Sequence, residues 1–279
     1  MRLISFAGSA VQIEVEGERA AAIVEFLYRH APADDPTPPH VTLRLCSDET
    51  GRFRLYRDGD MRYEGDSAGV AAEILLGDSC YHLADRSQGG LLFHAAALSW
   101  QGRAVMLPGT IGAGKTTLAA WLLCQGFDYL TDELVFIVHD DTAVQALARP
   151  LNFKCAGRAV WQSLLPPATD LSDLLGSTTT DLVPPEWFNP QPTLAGPPRP
   201  TPLNLIIFPR FQPNAEFNLH LLTKAQAGLE LMQCLVNARN LPGHGFDDIS
   251  RLARAVPAYR LTYAGFDQLA PHRADFYPP

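Results

Sequence analysis

The feature that most constrains this chain is a glycine-rich stretch near its middle, GTIGAGKT, at residues 109–116. It fits the phosphate-binding loop pattern of Gly, four residues, then Gly-Lys-Ser/Thr. Glycines in such a loop let backbone N–H groups close around phosphate oxygens, and a helix that begins at the loop adds the positive end of its dipole. The pattern predicts that Lys115 reaches the terminal phosphates of a nucleotide and that the Thr116 hydroxyl ligates Mg²⁺.

Both flanks of the glycine stretch fit this interpretation. Residues 104–107 are a short apolar run typical of a buried strand, which Pro108 is expected to end. Residues 116–125 have the apolar spacing of a helix, and Gly126 supplies its stop. The motif therefore lies between a predicted strand and a predicted helix, which is the setting that phosphate binding requires.

An acidic pair follows the predicted helix. Asp132 and Glu133 lie within an otherwise apolar run, residues 129–137, which we interpret as the next strand. Acids at a strand end beside a nucleotide can hold its metal ion. An Asp-Glu pair by itself is more often a solvated turn, but its place directly after the loop helix favours a metal site.

Three blocks, in this order, resemble the HPr kinase/phosphorylase superfamily, whose members include HprK-related kinases and lasso-peptide serine kinases. They are residues 92–98 (LFHAAAL), 109–117 (GTIGAGKTT) and 130–133 (LTDE). The family has a histidine before the loop strand and an acidic pair after the loop helix, as here. Its pair is usually Asp-Asp, and this chain has Asp-Glu.

This resemblance implies a P-loop kinase core of the HPr kinase/PEP carboxykinase-like type, in which a mixed sheet surrounds the loop helix. It implies Mg²⁺-dependent transfer of the γ-phosphoryl group of ATP, with GTP also possible, to a hydroxyl such as serine on a peptide or small protein. Asp132 would accept the hydroxyl proton, His94 would lie by the transferred phosphate, and Lys115 would complete the catalytic set. The expected metal ligands are Thr116, Asp132 and Glu133.

The residues expected to bind the nucleotide are those of the loop and one distant arginine. Residues 203–208 are a predicted strand, which Pro209 is expected to end. Arg210, just past that end, could bind a phosphate oxygen bidentately. Arg149 and Lys154 are further cations that could reach the phosphates. The full predicted nucleotide-binding set is Gly109, Thr110, Ile111, Gly112, Ala113, Gly114, Lys115, Thr116, Thr117 and Arg210.

Two other functions share this phosphate machinery. A small-molecule kinase would act on the hydroxyl of an amino acid, sugar or metabolite. A nucleotide-binding regulatory module would bind ATP or GTP and transfer nothing. The acceptor region, residues 156–202, separates the first from a peptide kinase, and its sequence does not choose between them.

Charge and composition disfavour several classes of partner and location. A net charge of -8 over 279 residues disfavours nucleic-acid or anionic-membrane partners, which need a basic excess. No apolar run approaches the roughly 20 residues that span a bilayer, and the N-terminus lacks the apolar middle of a secretory signal. The five cysteines show no metal-ligand spacing. We therefore expect a cytoplasmic protein with free thiols, and a homo-oligomer remains open.

Outside the kinase region the pattern predicts an α/β fold in two parts. Residues 1–88 form a small α/β region with strands near residues 11–15 and 41–45, a hairpin turning at residues 58–60, and helices at residues 19–29 and 69–83. Residues 89–279 form the HPr kinase-like domain. Residues 166–202 are irregular and are expected to be either disordered or a functional lid, in which residues 170–180 and 187–188 would touch a substrate. Residues 272–279 are expected to be a tail.

Overall fold

Five strands and two helices form the first part of the chain in this computed structural model, which describes residues 1–31, 37–172, 174–189 and 200–278. They are β1 (Arg2–Phe6), β2 (Ser9–Glu16), α1 (Glu18–Tyr28), β3 (Thr42–Ser47), β4 (Phe53–Arg57), β5 (Asp60–Gly65) and α2 (Ala68–Asp85). The strands form one sheet in the order β1-β2-β3-β4-β5, in which β2 and β3 are parallel. The predicted hairpin joins β4 and β5, and Asp58 and Gly59 both have the positive φ that a tight hairpin turn needs.

An eight-stranded mixed sheet forms the larger part. Its elements and their neighbours are β6 (Gly90–Trp100), β7 (Arg103–Pro108), α3 (Lys115–Cys124), β8 (Asp128–Thr131), β9 (Leu134–Val138), β10 (Ala143–Ala146), β11 (Leu151–Lys154), α4 (Arg158–Gln162), β12 (Leu175–Gly176), β13 (Thr180–Val183), β14 (Thr201–Phe211), β15 (Asn218–Leu221), α5 (Lys224–Cys234), α6 (Phe246–Ala255), β16 (Ala258–Tyr263) and α7 (Phe266–Leu269). The strand order is β10-β9-β6-β7-β14-β16-β15, and β8 also pairs with β6. Because β14 is parallel to β7 and β16 while the other pairs are antiparallel, the expectation of a mixed sheet is confirmed.

Both faces of this sheet are covered. Along β6, Phe93, Ala95 and Ala97 belong to a core with α5 and α6, whereas Ala96 and Leu98 belong to a core with α3. Strands buried on both faces are apolar throughout, which is why β6 and β7 show no alternation in the sequence. The start of α3 therefore lies just beyond the C-terminal end of β7, a central strand whose two faces are both packed.

The core of the first sheet extends into the second part of the chain. It includes Leu92, Phe136 and Leu182 together with residues of α1 and α2. Residues 86–89 separate α2 from β6. The division into 1–88 and 89–279 stays a prediction.

Pro209 does not end its strand, contrary to the sequence expectation. β14 continues to Phe211, and Pro209 pairs with Leu261 of the parallel β16. Backbone N–H groups alternate sides along a strand, and Ile206 donates toward β16. The Pro209 nitrogen therefore faces the β7 side, where β7 pairs with β14 only from Leu203 to Ile206. No ladder hydrogen bond is lost there, so the strand continues into the glycine loop region.

The described residues of the segment at 166–202 include regular structure that the sequence does not predict. A small sheet in the order β11-β13-β12 includes part of it. Phe188, expected to touch a substrate, is buried and packs on the Phe153 ring at 5.9 Å between centroids. Since that site is apolar, Phe188 is a core residue. Residues 190–199, also part of the expected lid, lie outside the described residues.

The expected tail is also packed against the protein. Phe276 is fully buried beside Trp121, with ring centroids 5.5 Å apart, and Tyr277 stacks on Trp100 at 4.6 Å. A single isolated stretch gives no periodicity from which such anchoring could be predicted. The C-terminal residues therefore cover the α3 face of the sheet.

Replacing Phe276 by alanine is expected to lower the free energy of unfolding by about 3–5 kcal/mol, because it leaves a cavity beside Trp121. Denaturant unfolding followed by tryptophan fluorescence measures the change. Phe246→Ala is the matched control, since Phe246 is 63% exposed. Equal stability of Phe276→Ala and Phe246→Ala would contradict the anchoring.

All five cysteines are free, as the sequence predicts. Within the described ranges, no helix combines the length and the apolarity needed to cross a membrane.

Candidate functional site

The glycine loop joins β7 to α3 at the C-terminal end of β7, a central strand of the sheet. Gly112 and Gly114 have φ values of 85° and 97°, which side chains rarely adopt. A Cβ on Gly114 would lie 2.8 Å from the Tyr263 hydroxyl oxygen. The Phe211 N–H donates to the Ala113 carbonyl at 3.1 Å. The ends of β14 and β16 therefore fix the loop where α3 begins.

Replacing Gly114 by alanine is expected to lower the free energy of unfolding by roughly 1–2 kcal/mol, because an L-residue is strained at this φ. The displaced loop should also weaken nucleotide binding by about 10-fold or more. Gly77→Ala is the control, since Gly77 lies in α2 with open space around it and alanine favours a helix by about 0.5–1 kcal/mol. Thermal melting and titration with a fluorescent nucleotide measure both effects. Unchanged binding by Gly114→Ala would argue against a phosphate site in the loop.

Lys115 is the first residue of α3 and is only 7% exposed. Its Nζ donates to the carbonyl oxygens of Gly109 at 2.8 Å and Thr110 at 3.2 Å. An ammonium group has three donors, so one N–H remains for a ligand. Burial lowers the Lys115 pKa, and the nearby carboxylates of Asp132 and Glu133 oppose that fall. Lys115 is thus held across the loop and lies within electrostatic reach of the acidic pair.

The acidic pair does not lie inside a single strand, contrary to expectation. β8 ends at Thr131 and β9 begins at Leu134, and both pair with β6. The Glu133 N–H donates to the Thr131 side-chain oxygen at 3.4 Å, while the Glu133 carbonyl still accepts from Ala95. This local side-chain bond replaces a regular strand geometry. The pair therefore forms a short bend facing His94 on β6.

Asp132 is the more buried acid, at 2% exposure. Its Oδ2 accepts from the Asn152 backbone N–H at 3.1 Å, and its Oδ1 has no hydrogen-bond partner among the described residues. Burial raises the pKa of Asp132 to about 6, although Arg149, the Asn152 N–H and Lys115 lower it. A buried carboxylate oxygen without a partner is costly in a folded protein, which points to a cation or a donor in the working state.

Glu133 has two side-chain partners, Arg149 and His94. Arg149 Nη2 lies 2.5 Å from Glu133 Oε2, and His94 Nε2 lies 3.4 Å from Oε1. Burial lowers the pKa of His94; Lys115 and Arg149 lower it further, and Glu133 opposes this. His94 is therefore expected to be neutral near pH 7, so that it can donate or accept a hydrogen bond.

The structure brings His94, Lys115, Asp132 and Glu133 together, and adds Arg149 and Asn152. Thr116 and Thr117 follow Lys115 in the first turn of α3 and are half-buried. The sequence indicates Arg149 only as a cation that could reach phosphates, and it gives no signal for Asn152, whose contact uses the backbone.

Arg210 lies apart from the acidic pair. It lines a pocket of about 320 Å³ whose wall also contains residues 109–113 of the loop, residues 208–212 and three residues of α5. Its Nη2 bonds to Glu230 at 3.2 Å, and Glu230 also accepts from Arg260 Nε at 2.9 Å. Arg210 is thus beside the loop but committed to an ion pair. Its role in phosphate binding stays a prediction.

The donor set fits a magnesium-bound nucleotide. Mg²⁺ prefers carboxylate, hydroxyl and phosphate oxygens, and Thr116, Asp132 and Glu133 offer such groups. Asp132 Oδ1, Arg149 Nε and Asn152 Oδ1 are buried without a hydrogen-bond partner in the part of the chain that the structure describes. The open loop beside a lysine with one spare N–H fits phosphate.

Comparisons with known proteins give little beyond this geometry. No protein-family model matches the sequence, and no curated protein matches it. Among solved structures, the chain is similar to the Hpr(Ser) kinase/phosphatase from Coxiella burnetii, at 11% sequence identity and a TM-score of 0.28, over 66% of this chain and 91% of that one. A TM-score this low supports no conclusion about activity.

Proposed function

We propose that this chain is a Mg²⁺-dependent kinase that transfers the γ-phosphoryl group of ATP, or of GTP, to a hydroxyl group. The acceptor is a serine on a peptide or small protein. The observation that carries the proposal is the meeting of the glycine loop and Lys115 with Asp132, a buried acid whose Oδ1 has no partner among the described residues.

Phosphoryl transfer asks mainly for positioned phosphates and stabilised charge. The loop backbone and the spare N–H of Lys115 would hold the terminal phosphates, and Thr116 with one acid of the pair would hold Mg²⁺. A bound Mg²⁺ would supply charge stabilisation at the phosphate oxygens.

The reaction needs one base and one charge-stabilising neighbour. The acceptor oxygen forms a bond to the γ-phosphorus, the bond from that phosphorus to the β-bridging oxygen breaks, and Asp132 takes the hydroxyl proton. A raised pKa makes Asp132 a stronger base than an exposed aspartate. His94, next to Glu133, donates to the transferring group.

The direct test is incubation with γ-labelled ATP, Mg²⁺ and peptides encoded by neighbouring genes, followed by mass spectrometry to locate the label. The expected result is label on a serine hydroxyl, lost when EDTA removes the metal. Label on a small molecule alone would overturn the peptide acceptor and leave a small-molecule kinase. Nucleotide binding without transfer to any acceptor would instead indicate a regulatory module.

A further inference from the structure

The two acids of the pair are held in different ways by one short segment, residues 149–152. The Arg149 guanidinium pairs with Glu133 at 2.5 Å, whereas the Asn152 backbone N–H donates to Asp132 at 3.1 Å. A guanidinium brings a full positive charge to Glu133, and a backbone N–H brings only a dipole to Asp132. Glu133 therefore has a direct ion-pair partner, whereas among the described residues Asp132 is contacted only by a backbone N–H.

Arg149 is built into the site as a fixed cation. It is 3% exposed, and its carbonyl oxygen accepts a hydrogen bond from the buried Tyr129 hydroxyl at 2.7 Å. A buried arginine of this kind cannot swing away to solvent, and it stays charged at any accessible pH. Glu133 therefore keeps its partner while a ligand binds next to it.

The open coordination positions of the pair also differ. Both oxygens of Glu133 have a nearby partner, the Arg149 guanidinium on one and the His94 imidazole on the other. Asp132 Oδ1 is buried and has no partner in the described ranges of the chain. A cation or an acceptor hydroxyl entering the site meets an uncommitted oxygen on Asp132.

We propose that Arg149 is a positioning residue that commits Glu133 to an ion pair and leaves Asp132 Oδ1 as the free carboxylate oxygen of the pair for the acceptor hydroxyl. The inference rests on the proposed function, because it takes a metal-bound nucleotide as the ligand. It revises the expectation that Glu133 is a metal ligand, and it assigns Glu133 the role of a fixed counter-charge.

The test is Mn²⁺ binding, measured by electron paramagnetic resonance with a non-hydrolysable ATP analogue present. All variants carry His139→Ala, because ligand atoms of His139, Asp140 and Asp248 lie within 4.8 Å of one another and could take Mn²⁺ elsewhere. Arg149→Met/Glu133→Gln removes the ion pair without changing the net charge of the site. Arg149→Met alone frees Glu133.

The double variant is expected to bind Mn²⁺ within about threefold of the parent, since neither removed group is a ligand. Arg149→Met alone should bind Mn²⁺ about 10-fold more tightly or better, because it removes a nearby positive charge and releases a carboxylate. Arg52→Met/Glu64→Gln removes an exposed ion pair in the first part of the chain, with the same change of residue types, and should change neither Mn²⁺ binding nor transfer. Circular dichroism checks the folding of each variant. If Arg149→Met does not fold, the double variant still tests the inference, because it removes both charges and leaves no unpaired one.

A 10- to 100-fold loss of Mn²⁺ affinity in the double variant would make Glu133 a ligand and overturn the inference. Unchanged affinity in a folded Arg149→Met variant would overturn it as well. If the parent binds neither Mn²⁺ nor the ATP analogue, the proposed function fails and this inference fails with it. If the parent binds both and the double variant loses Mn²⁺, only the division of the acidic pair fails.

Discussion

Replacing Lys115 by alanine is expected to reduce phosphoryl transfer by on the order of 100- to 1,000-fold, because it removes a preorganised donor from the developing phosphate charge. The ammonium group lies across the loop, held by two carbonyl oxygens, with one N–H left for a phosphate. Alanine keeps the helix start but leaves both carbonyls and the incoming phosphates without this cation. Steady-state transfer of labelled phosphate, together with nucleotide titration, measures the loss.

Lys224→Ala is the matched control for Lys115→Ala. Lys224 is the first residue of α5, as Lys115 is the first residue of α3, but Lys224 is exposed. Removing a solvated lysine outside the glycine loop should change transfer by less than about threefold. If Lys115→Ala keeps the parent rate, the kinase assignment is wrong, whatever nucleotide binding remains. If both variants lose activity equally, general positive charge and not the loop geometry would explain it.

The strand, loop and helix at residues 103–124 could be predicted because their signals are local. The apolar run, the glycines and the helix spacing all lie within about one supersecondary unit. Gly126, expected to stop α3, has a φ of 92° and does follow its last turn. Short-range chemistry of this kind depends little on the rest of the chain.

The partners of the acidic pair could not be predicted in the same way. Arg149 is 16 residues from Glu133, and nothing in the sequence distinguishes it from a solvated surface arginine. The Asn152 contact uses a backbone N–H, which every residue but proline has. Such contacts depend on how the three-stranded sheet that contains β11 packs beside the acidic pair, which is a property of the tertiary fold.

Errors at element ends have a related cause. Pro209 predicts the end of a strand only if its nitrogen faces a neighbour, and β7 ends before reaching it. Phe276 and Tyr277 would form a tail if they had no aromatic partners, but they pack on Trp121 and Trp100. In both places the local sequence preference is real, but tertiary packing determines whether the element ends there.

Replacing Asp132 by asparagine is expected to abolish transfer and to stabilise the nucleotide-free protein. The catalytic loss, on the order of 100-fold or more, follows from removal of the base. The gain in stability follows from burial, which raises the pKa of Asp132 from 3.8 to about 6 and so disfavours its charged form in the folded state. A rise of that size corresponds to about 3 kcal/mol at high pH.

The stability gain should depend on pH in a defined direction. The folded-state pKa lies above the unfolded value, so near and below pH 3.8 both states are largely protonated and the charge imposes little penalty. The penalty grows as pH rises and is complete above about pH 6. Asp132→Asn should therefore melt roughly 5–10 °C above the parent at pH 8 and close to it at pH 4.

Asp48→Asn provides a control of opposite sign. Hydrogen bonds from the Thr50 side chain and the Arg52 N–H lower the pKa of Asp48, so its loss should slightly destabilise the protein at pH 8.

Mg²⁺ and nucleotide should raise the melting temperature of the parent more than that of Asp132→Asn, because ligand binding to the folded state raises its melting temperature. An Asp132→Asn variant that melts below the parent at pH 8, while remaining folded, would mean that the Asp132 carboxylate is paired in the folded protein. That outcome would remove the unpartnered acid on which the proposed chemistry depends.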